Sequence, residues 1–212
     1  MQIKKVKNSK NEIFEKRYSI RKYKKDFEIP KDELENIIND ALSAPSSLNL
    51  QPWRFFIIHS KQAKDDIKSF MMFNQAQHET CSAVVVVYAD TEHLKRAEEL
   101  MNGDVKLGVR DEKSKNDMLS FMNNILSSRD KEQIIRSHFL DCGFVSMQFM
   151  LSAVNYGYDT NPIGAFDKDG ISKYLQIDTS RYIPVILFTI GKADENGKKT
   201  SRFEAKEVTT WR

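Results

Sequence analysis

Arg17, Ser19 and Arg21 stand at alternate positions, so in an extended segment their two guanidinium groups and one hydroxyl share a face and converge on a single anion. Taken alone, the element reads first as a solvated basic strand, because Lys22, Lys24 and Lys25 follow it. A second cluster, Pro45-Ser46-Ser47-Leu48-Asn49-Leu50-Gln51-Pro52-Trp53, follows an apolar helix. Pro45 stops that helix, and the serines and Asn49 offer hydroxyl, amide and backbone groups suited to reading the edge of a planar polar ligand. The plainer reading is a helix-to-strand connection anchored by Trp53, but this combination of types and spacing is too particular for an ordinary loop.

Other chemistries fail on spacing. The histidines, His59, His78, His93 and His138, are scattered, and no His-x-x-x-His or Cys-x-x-Cys pair exists, so no metal site is expected. There is no Gly-x-Ser-x-Gly elbow for a serine nucleophile. No Gly-x-Gly-x-x-Gly order exists for a dinucleotide, so nicotinamide cofactors must bind without their usual fold. The stretch Gly191 to Lys199 approaches a phosphate loop, but it has five residues between its glycines and Lys199 where Ser or Thr should hold magnesium.

Elements must hold these clusters. Pro30 and Asp32 open a helix in which Leu34, Ile37, Ile38, Ala41 and Leu42 recur at helical spacing. Phe55 to Ile58 reads as a short buried strand, and Lys61 to about Phe70 as a helix. Ala83 to Tyr88 is apolar on both faces and belongs in the middle of a sheet. Helices are expected over Glu92 to Met101, Lys113 to Leu126 and Lys131 to about Tyr156, the last closed by Gly157. Thr160 to Ala165 reads as a loop, Asp169 to Leu175 as a short helix, and Ile183 to Ile190 as a last core strand. Helices therefore lie on both sides of a small sheet. With no linker or repeat, residues 1–212 are read as one domain. The tail from Gly191 to Arg212 is expected to be an extended arm whose Phe203, Val208 and Trp211 need a surface such as a partner subunit.

The 33 basic and 30 acidic side chains leave a net charge of +3, too weak a field to argue for nucleic acid or an anionic membrane. Cys81 and Cys142 lie far apart in apolar settings, as buried thiols in a reducing compartment do. Lys4, Lys5, Lys7 and Lys10 precede no apolar run, so no secretory signal is read and a cytoplasmic location is expected. Between Ser137 and Tyr158 the only charge is Asp141, but His138, Ser146, Gln148, Ser152 and Asn155 make the window too polar for hydrocarbon. A helix buried on most sides in a soluble core is expected instead.

The Pro45 to Trp53 segment resembles the Pro-Ser-Ser-x-Asn-x-Gln-Pro-Trp signature of the FMN-dependent nitroreductase family. Arg17-x-Ser19-x-Arg21 matches that family's N-terminal element, and Phe73-Asn74-Gln75-Ala76-Gln77 its Asn-Gln-x-Gln element. Pro162 to Phe166 looks like the loop after its central helix, and Ile183 to Gly191 followed by Arg202 like its last strand and arm. These matches run in order over nearly the whole chain.

The resemblance implies an α+β (α/β-like) nitroreductase-like fold, a small central mixed sheet wrapped by helices, in a homodimer with an exchanged C-terminal arm and each FMN between subunits. It implies that Arg17, Ser19 and Arg202 hold the FMN phosphate, with Tyr18 among the cofactor-binding residues, and that Arg21, Asn74 and Gln77 meet the pyrimidine edge of the ring. Pro45, Ser46, Ser47 and Asn49 come from the other subunit, and the Pro162, Ile163, Gly164 and Ala165 loop covers a flavin edge with Gly164 N–H at N5. Three positions depart from relatives: Gln77 stands for a lysine, Gly164 for a glutamate, and Thr200 for a lysine that Lys198 or Lys199 replaces. The implied chemistry is a ping-pong transfer from NADH or NADPH through FMN to nitroaromatics or quinones, flat electron-poor acceptors, with no side chain as nucleophile. A flavin reductase and an enzyme of a dedicated metabolite fit the same motifs, as does a flavin-binding redox sensor or interaction protein without turnover. Met101, Met118, Phe121 and Met122 are placed mainly in helix packing, with an adaptable wall at the substrate opening as their second role.

Overall fold

The structure, a computed structural model, describes residues 12–92 and 94–212. Lys4, Lys5, Lys7, Lys10 and His93 lie outside them. Four strands, β1 (Trp53–Ile58), β2 (Ala83–Asp90), β3 (Asp159–Ile163) and β4 (Tyr182–Gly191), form one sheet in the order β1-β2-β4-β3. Every neighbouring pair is antiparallel, where a mixed sheet was expected. A parallel pairing joins β3 to a residue outside the four strands, in a bridge between Ser19 and Thr160.

All eight residues of β2 are buried, because the strand is flanked by β1 and β4 and both sheet faces are covered. Its Val84 to Val87 run suits a pleat packed from both sides. Alternate residues feed two separate cores. On one face Val85 and Val87, with Phe188 of β4, receive Ile37 and Ala41 of α2 (Lys31–Ala41) and Cys142, Val145, Phe149 and Ala153 of the long helix α7 (Lys131–Asn155). The Phe149 and Phe188 rings lie 5.3 Å apart. On the other face Val84, Val86, Tyr88 and Leu187 receive Ile20, Tyr23, Ile67, Met71 and Ile171. Tyr23 and Tyr88 carry hydroxyls into that core, paired with Thr189 Oγ1 and Ser172 Oγ at 2.9 Å each.

The long helix starts on a capping box, Asp130 accepting from Gln133 N–H and the Gln133 side chain accepting from Asp130 N–H. It ends where Gly157 takes the left-handed conformation, φ +78°. Helices α5 (Leu94–Lys106) and α6 (Glu112–Ser127) pair through Ala97, Met101, Met122 and Leu126, and Leu50 joins that cluster. Met101 and Met122 thus serve helix packing, while Phe121 is half exposed.

Three further expectations change. The segment expected as a loop at Thr160 is strand β3, an edge strand, where Pro162 and its missing N–H are tolerated. The helix expected over Lys61 to Phe70 breaks at Ile67 into α3 (Lys61–Asp66) and a 3-10 turn (Lys68–Met71). The tail carries a short helix, Ala205–Val208, and stands exposed, Trp211 at 91 % against 4 % for Trp53. Among the described residues no helix is long and apolar enough to cross a membrane.

Candidate active site

The Arg17 to Arg21 segment touches β3 through a single bridge, Ser19 to Thr160, with Ile20 N–H donating to Thr160 O at 3.1 Å. Ile20 turns into the core, which leaves Arg17, Ser19 and Arg21 on the other side. The C-terminal arm then returns along the same segment. Lys24 N–H donates to Lys192 O (2.7 Å), Asp194 N–H to Lys22 O (3.0 Å), and both Arg21 and Lys22 N–H groups to Glu195 Oε1 (2.5 and 3.2 Å). Gly197 passes directly over Tyr18, so close that a Cβ there would overlap the ring.

Between segment and arm lies a cavity of about 810 Å³. Arg17, Tyr18, Ser19 and Arg21 line one side; Asn196, Lys198, Lys199, Thr200 and Arg202 line the other. Five cationic side chains face two carboxylates, Glu15 and Glu195, and the latter is occupied by backbone amides. Arg202 Nη1 donates to Thr200 Oγ1 and to Ser201 O, which fixes the guanidinium at the mouth. Such a surface has the donors that charge-assisted hydrogen bonds to a compact anion require.

A second group continues from β3. Asn74 Nδ2 donates to Ala165 O and Met71 O, both at 3.0 Å, and Gln77 Nε2 donates to Asn74 Oδ1 at 3.3 Å. Asn74 and Gln77 flank the start of α4 (Gln75–Thr80). Pro162 and Ile163 end β3, while Gly164 and Ala165 are exposed, and a Cβ on Gly164 would meet open space. Packing therefore does not demand glycine at 164.

The third group stands apart from this cavity. Pro45 and Asn49 are exposed, Ser46 Oγ accepts the Gln51 N–H at 3.0 Å, and Ser47 N–H donates to Asp141 Oδ1 at 3.0 Å. The loop is fastened to α7 and to the α5–α6 hairpin. So Arg17, Tyr18, Ser19, Arg21 and Arg202 meet in one place, Asn74, Gln77 and Ala165 in another, and Pro45, Ser46, Ser47 and Asn49 sit elsewhere on the same chain.

Burial pushes the thiols of Cys81 and Cys142 up to about 12, so neither is a nucleophile at neutral pH. Among the described residues no group of three or more His, Cys, Asp or Glu side chains could hold a metal ion. Two residues escaped sequence reasoning. Glu195 carried no motif signal, since its work is to bond backbone amides distant in sequence. Asp141 was visible as the lone charge between Ser137 and Tyr158, without any sign of what it holds.

Fold and site together define an α+β protein with a basic cleft between an N-terminal edge segment and the C-terminal arm. The chain belongs to the nitroreductase family, whose model matches residues 14–192. It is 37% identical over 201 residues (95% of this chain, 96% of the relative) to YdgI of Bacillus subtilis, whose name carries NAD(P)H nitroreductase as a provisional assignment. It is 30% identical over 205 residues (96% and 94%) to the CLA biosynthesis enone reductase of Lactiplantibacillus plantarum. The crystal structure of an Exiguobacterium sibiricum protein in complex with FMN superposes with a TM-score of 0.92 at 36% identity, covering 95% of this chain and 96% of that one.

Proposed function

We propose that the chain is an FMN-dependent oxidoreductase that takes hydride from NADH or NADPH and passes it to nitroaromatic or quinone-like acceptors, working as a homodimer of one cofactor-binding domain over residues 1–212. The cavity that gathers Arg17, Ser19, Arg21 and Arg202 carries this reading. A phosphate monoester is nearly doubly charged at neutral pH and needs charge-assisted donors, which Arg17, Ser19 and Arg202 supply, with Lys198 or Lys199 beside them and Tyr18 as a wall. The FMN-bound relative and the NAD(P)H-named relative support the same reading.

An FMN ring reaching from this cavity to Asn74 and Gln77 would have Arg21 as a cation that favours its reduced form, and Gln77 in place of a lysine would make that preference weaker. Asn74 and Gln77 offer amide groups at that edge, and the exposed Gly164 offers its backbone N–H. FMN held there would supply the hydride-transfer chemistry, so no side chain need serve as nucleophile. Pro45, Ser46, Ser47 and Asn49 complete the site of a second copy. The exposed face of α7, with Leu140, Phe144 and Met147, and the arm's Phe203, Val208 and Trp211 are the apolar surfaces such a dimer buries.

A visible spectrum of the purified protein, followed by addition of NADH or NADPH and then a quinone, a nitroaromatic or an enone, tests this. Bleaching and reoxidation are expected. Protein that takes up FMN and is never bleached is instead the flavin-binding sensor, and protein that takes up no FMN refutes both.

A further inference from the structure

Asp141 is the only charge between Ser137 and Tyr158, lies midway along α7 and is 2 % exposed. A carboxyl group is a poor choice for an apolar core: burial holds it above its ordinary pKa, although the Ser47 N–H pulls in the other direction. Its Oδ2 is buried without a hydrogen-bond partner among the described residues, so the one bond that justifies the group is Oδ1 to Ser47 N–H, 3.0 Å.

That bond holds an uncommon backbone. Directly after Ser47 the chain passes through left-handed Leu48 (φ 54°) and Asn49 (φ 55°), and Gln51 repeats the conformation (φ 48°). Leucine and glutamine rarely adopt it, and such a path persists only where its surroundings over-determine it. Three fastenings do so here. Ser46 Oγ closes the turn on Gln51 N–H, Leu48 and Leu50 pack into the α5–α6 hairpin, and Asp141 pins the loop to α7 from the opposite side.

We propose that Asp141 is a positioning residue, which through Ser47 N–H holds the Pro45 to Gln51 loop in the strained form that presents Ser46, Ser47 and Asn49 to a cofactor and seats the α5–α6 hairpin. The proposal rests on the FMN reading above. The role asked of the carboxyl is that of a hydrogen-bond acceptor: Oδ1 takes the Ser47 N–H, and the Pro45 to Gln51 loop brings no titratable side chain.

The experiment compares the full-length protein with Asp141→Asn and Asp141→Ala, reading FMN affinity by flavin fluorescence, kinetics with a quinone, and amide hydrogen exchange at Ser47. Asn keeps an acceptor oxygen and is expected to hold FMN within about twofold of the parent, whereas Ala is expected to weaken it about tenfold and raise the quinone KM more than it lowers kcat. The Ser47 amide should exchange faster in Ala alone. Should Asp141→Ala fail to fold, Ser47→Pro deletes the donor and leaves the core intact; Ser46, at φ −144° and ψ 159°, accepts a following proline. It should lose FMN affinity as Ala would. Asn behaving as badly as Ala overturns the proposal, and so does unchanged affinity with unchanged Ser47 protection in Ala or unchanged affinity in Pro. Parent protein that binds no FMN sinks the proposed function instead, while Ser47 exchange, read without cofactor, still decides the loop's anchor.

Discussion

Arg21 N–H donates to Glu195 Oε1 at 2.5 Å, joining two segments 174 residues apart. The Lys22 N–H reaches the same oxygen at 3.2 Å, so one carboxylate holds the arm against the edge segment through backbone amides. The Arg21 guanidinium is left to line the cavity. An acidic side chain in a basic cleft thus fastens its two walls through backbone amides.

The arm should be indispensable for the anion. Arg202→Ala removes a guanidinium from the cavity, and the loss of a charge-assisted hydrogen bond is expected to weaken FMN binding by roughly ten- to a hundredfold. Sedimentation should still find an apo dimer. Unchanged cofactor retention after dialysis would mean that the arm does not reach the phosphate.

Gly197→Ala tests the passage over Tyr18, whose ring the new methyl would overlap. Overpacking of this kind costs about 1–3 kcal/mol, and here it falls on the docking of the arm instead of the sheet core. The expected result is weaker FMN binding with an almost unchanged melting temperature. Equal cofactor affinity would show that the arm can shift without consequence.

Asp90, at the end of β2, is buried and receives Arg181 Nε and Nη2 at 2.8 Å each and Arg54 Nη2 at 2.9 Å. Burial pushes its carboxyl up, but the Arg181 bonds, the Glu92 N–H and the charge of Arg54 outweigh it and hold the group below its ordinary range. A depressed carboxyl contributes stability above its unfolded pKa and loses it as pH falls through the folded value. Asp90→Asn takes the carboxylate from Arg54 and leaves Arg181 with Glu92 alone, and should cost about 3 kcal/mol near neutral pH, the low end for a broken buried pair because both arginines keep partial solvent access. Denaturant melts should show the gap closing in acid, and a gap independent of pH would contradict the assignment.

Leu140, Phe144 and Met147 form an exposed stripe along α7, three and four residues apart. Phe144→Glu places a charge on that stripe without disturbing the Phe149 side of the helix. If the stripe is the subunit interface, dimer affinity should fall at least about a hundredfold and FMN retention with it. A variant that sediments as the parent does would assign the stripe another use.

Much of the scaffold could be read from residue types because local burial dictated them. A strand buried at every position favours small or β-branched residues, and β2 shows it in Ala83 to Val87. The 3.6 spacing of Leu34, Ile37 and Ala41 likewise marks the buried side of α2. Strand β3 was hidden because Asn161 and Pro162 carry loop chemistry, and its extension comes from pairing with β4. The alternate Arg17, Ser19 and Arg21 were legible as one face, and their cavity required Lys198 to Arg202 to return from the far end of the chain. Asp141 was conspicuous, but its partner Ser47 lies 94 residues earlier, and no local pattern connects them.

The two tryptophans give this chain a pair of built-in optical reporters. Trp53, shielded at the start of β1, emits from an apolar surrounding and responds when the sheet melts. Trp211 emits from water and is quenched by dissolved iodide until something covers the arm. With Trp53→Phe and Trp211→Phe to separate the signals, chain unfolding and arm engagement become two titrations on unlabelled protein.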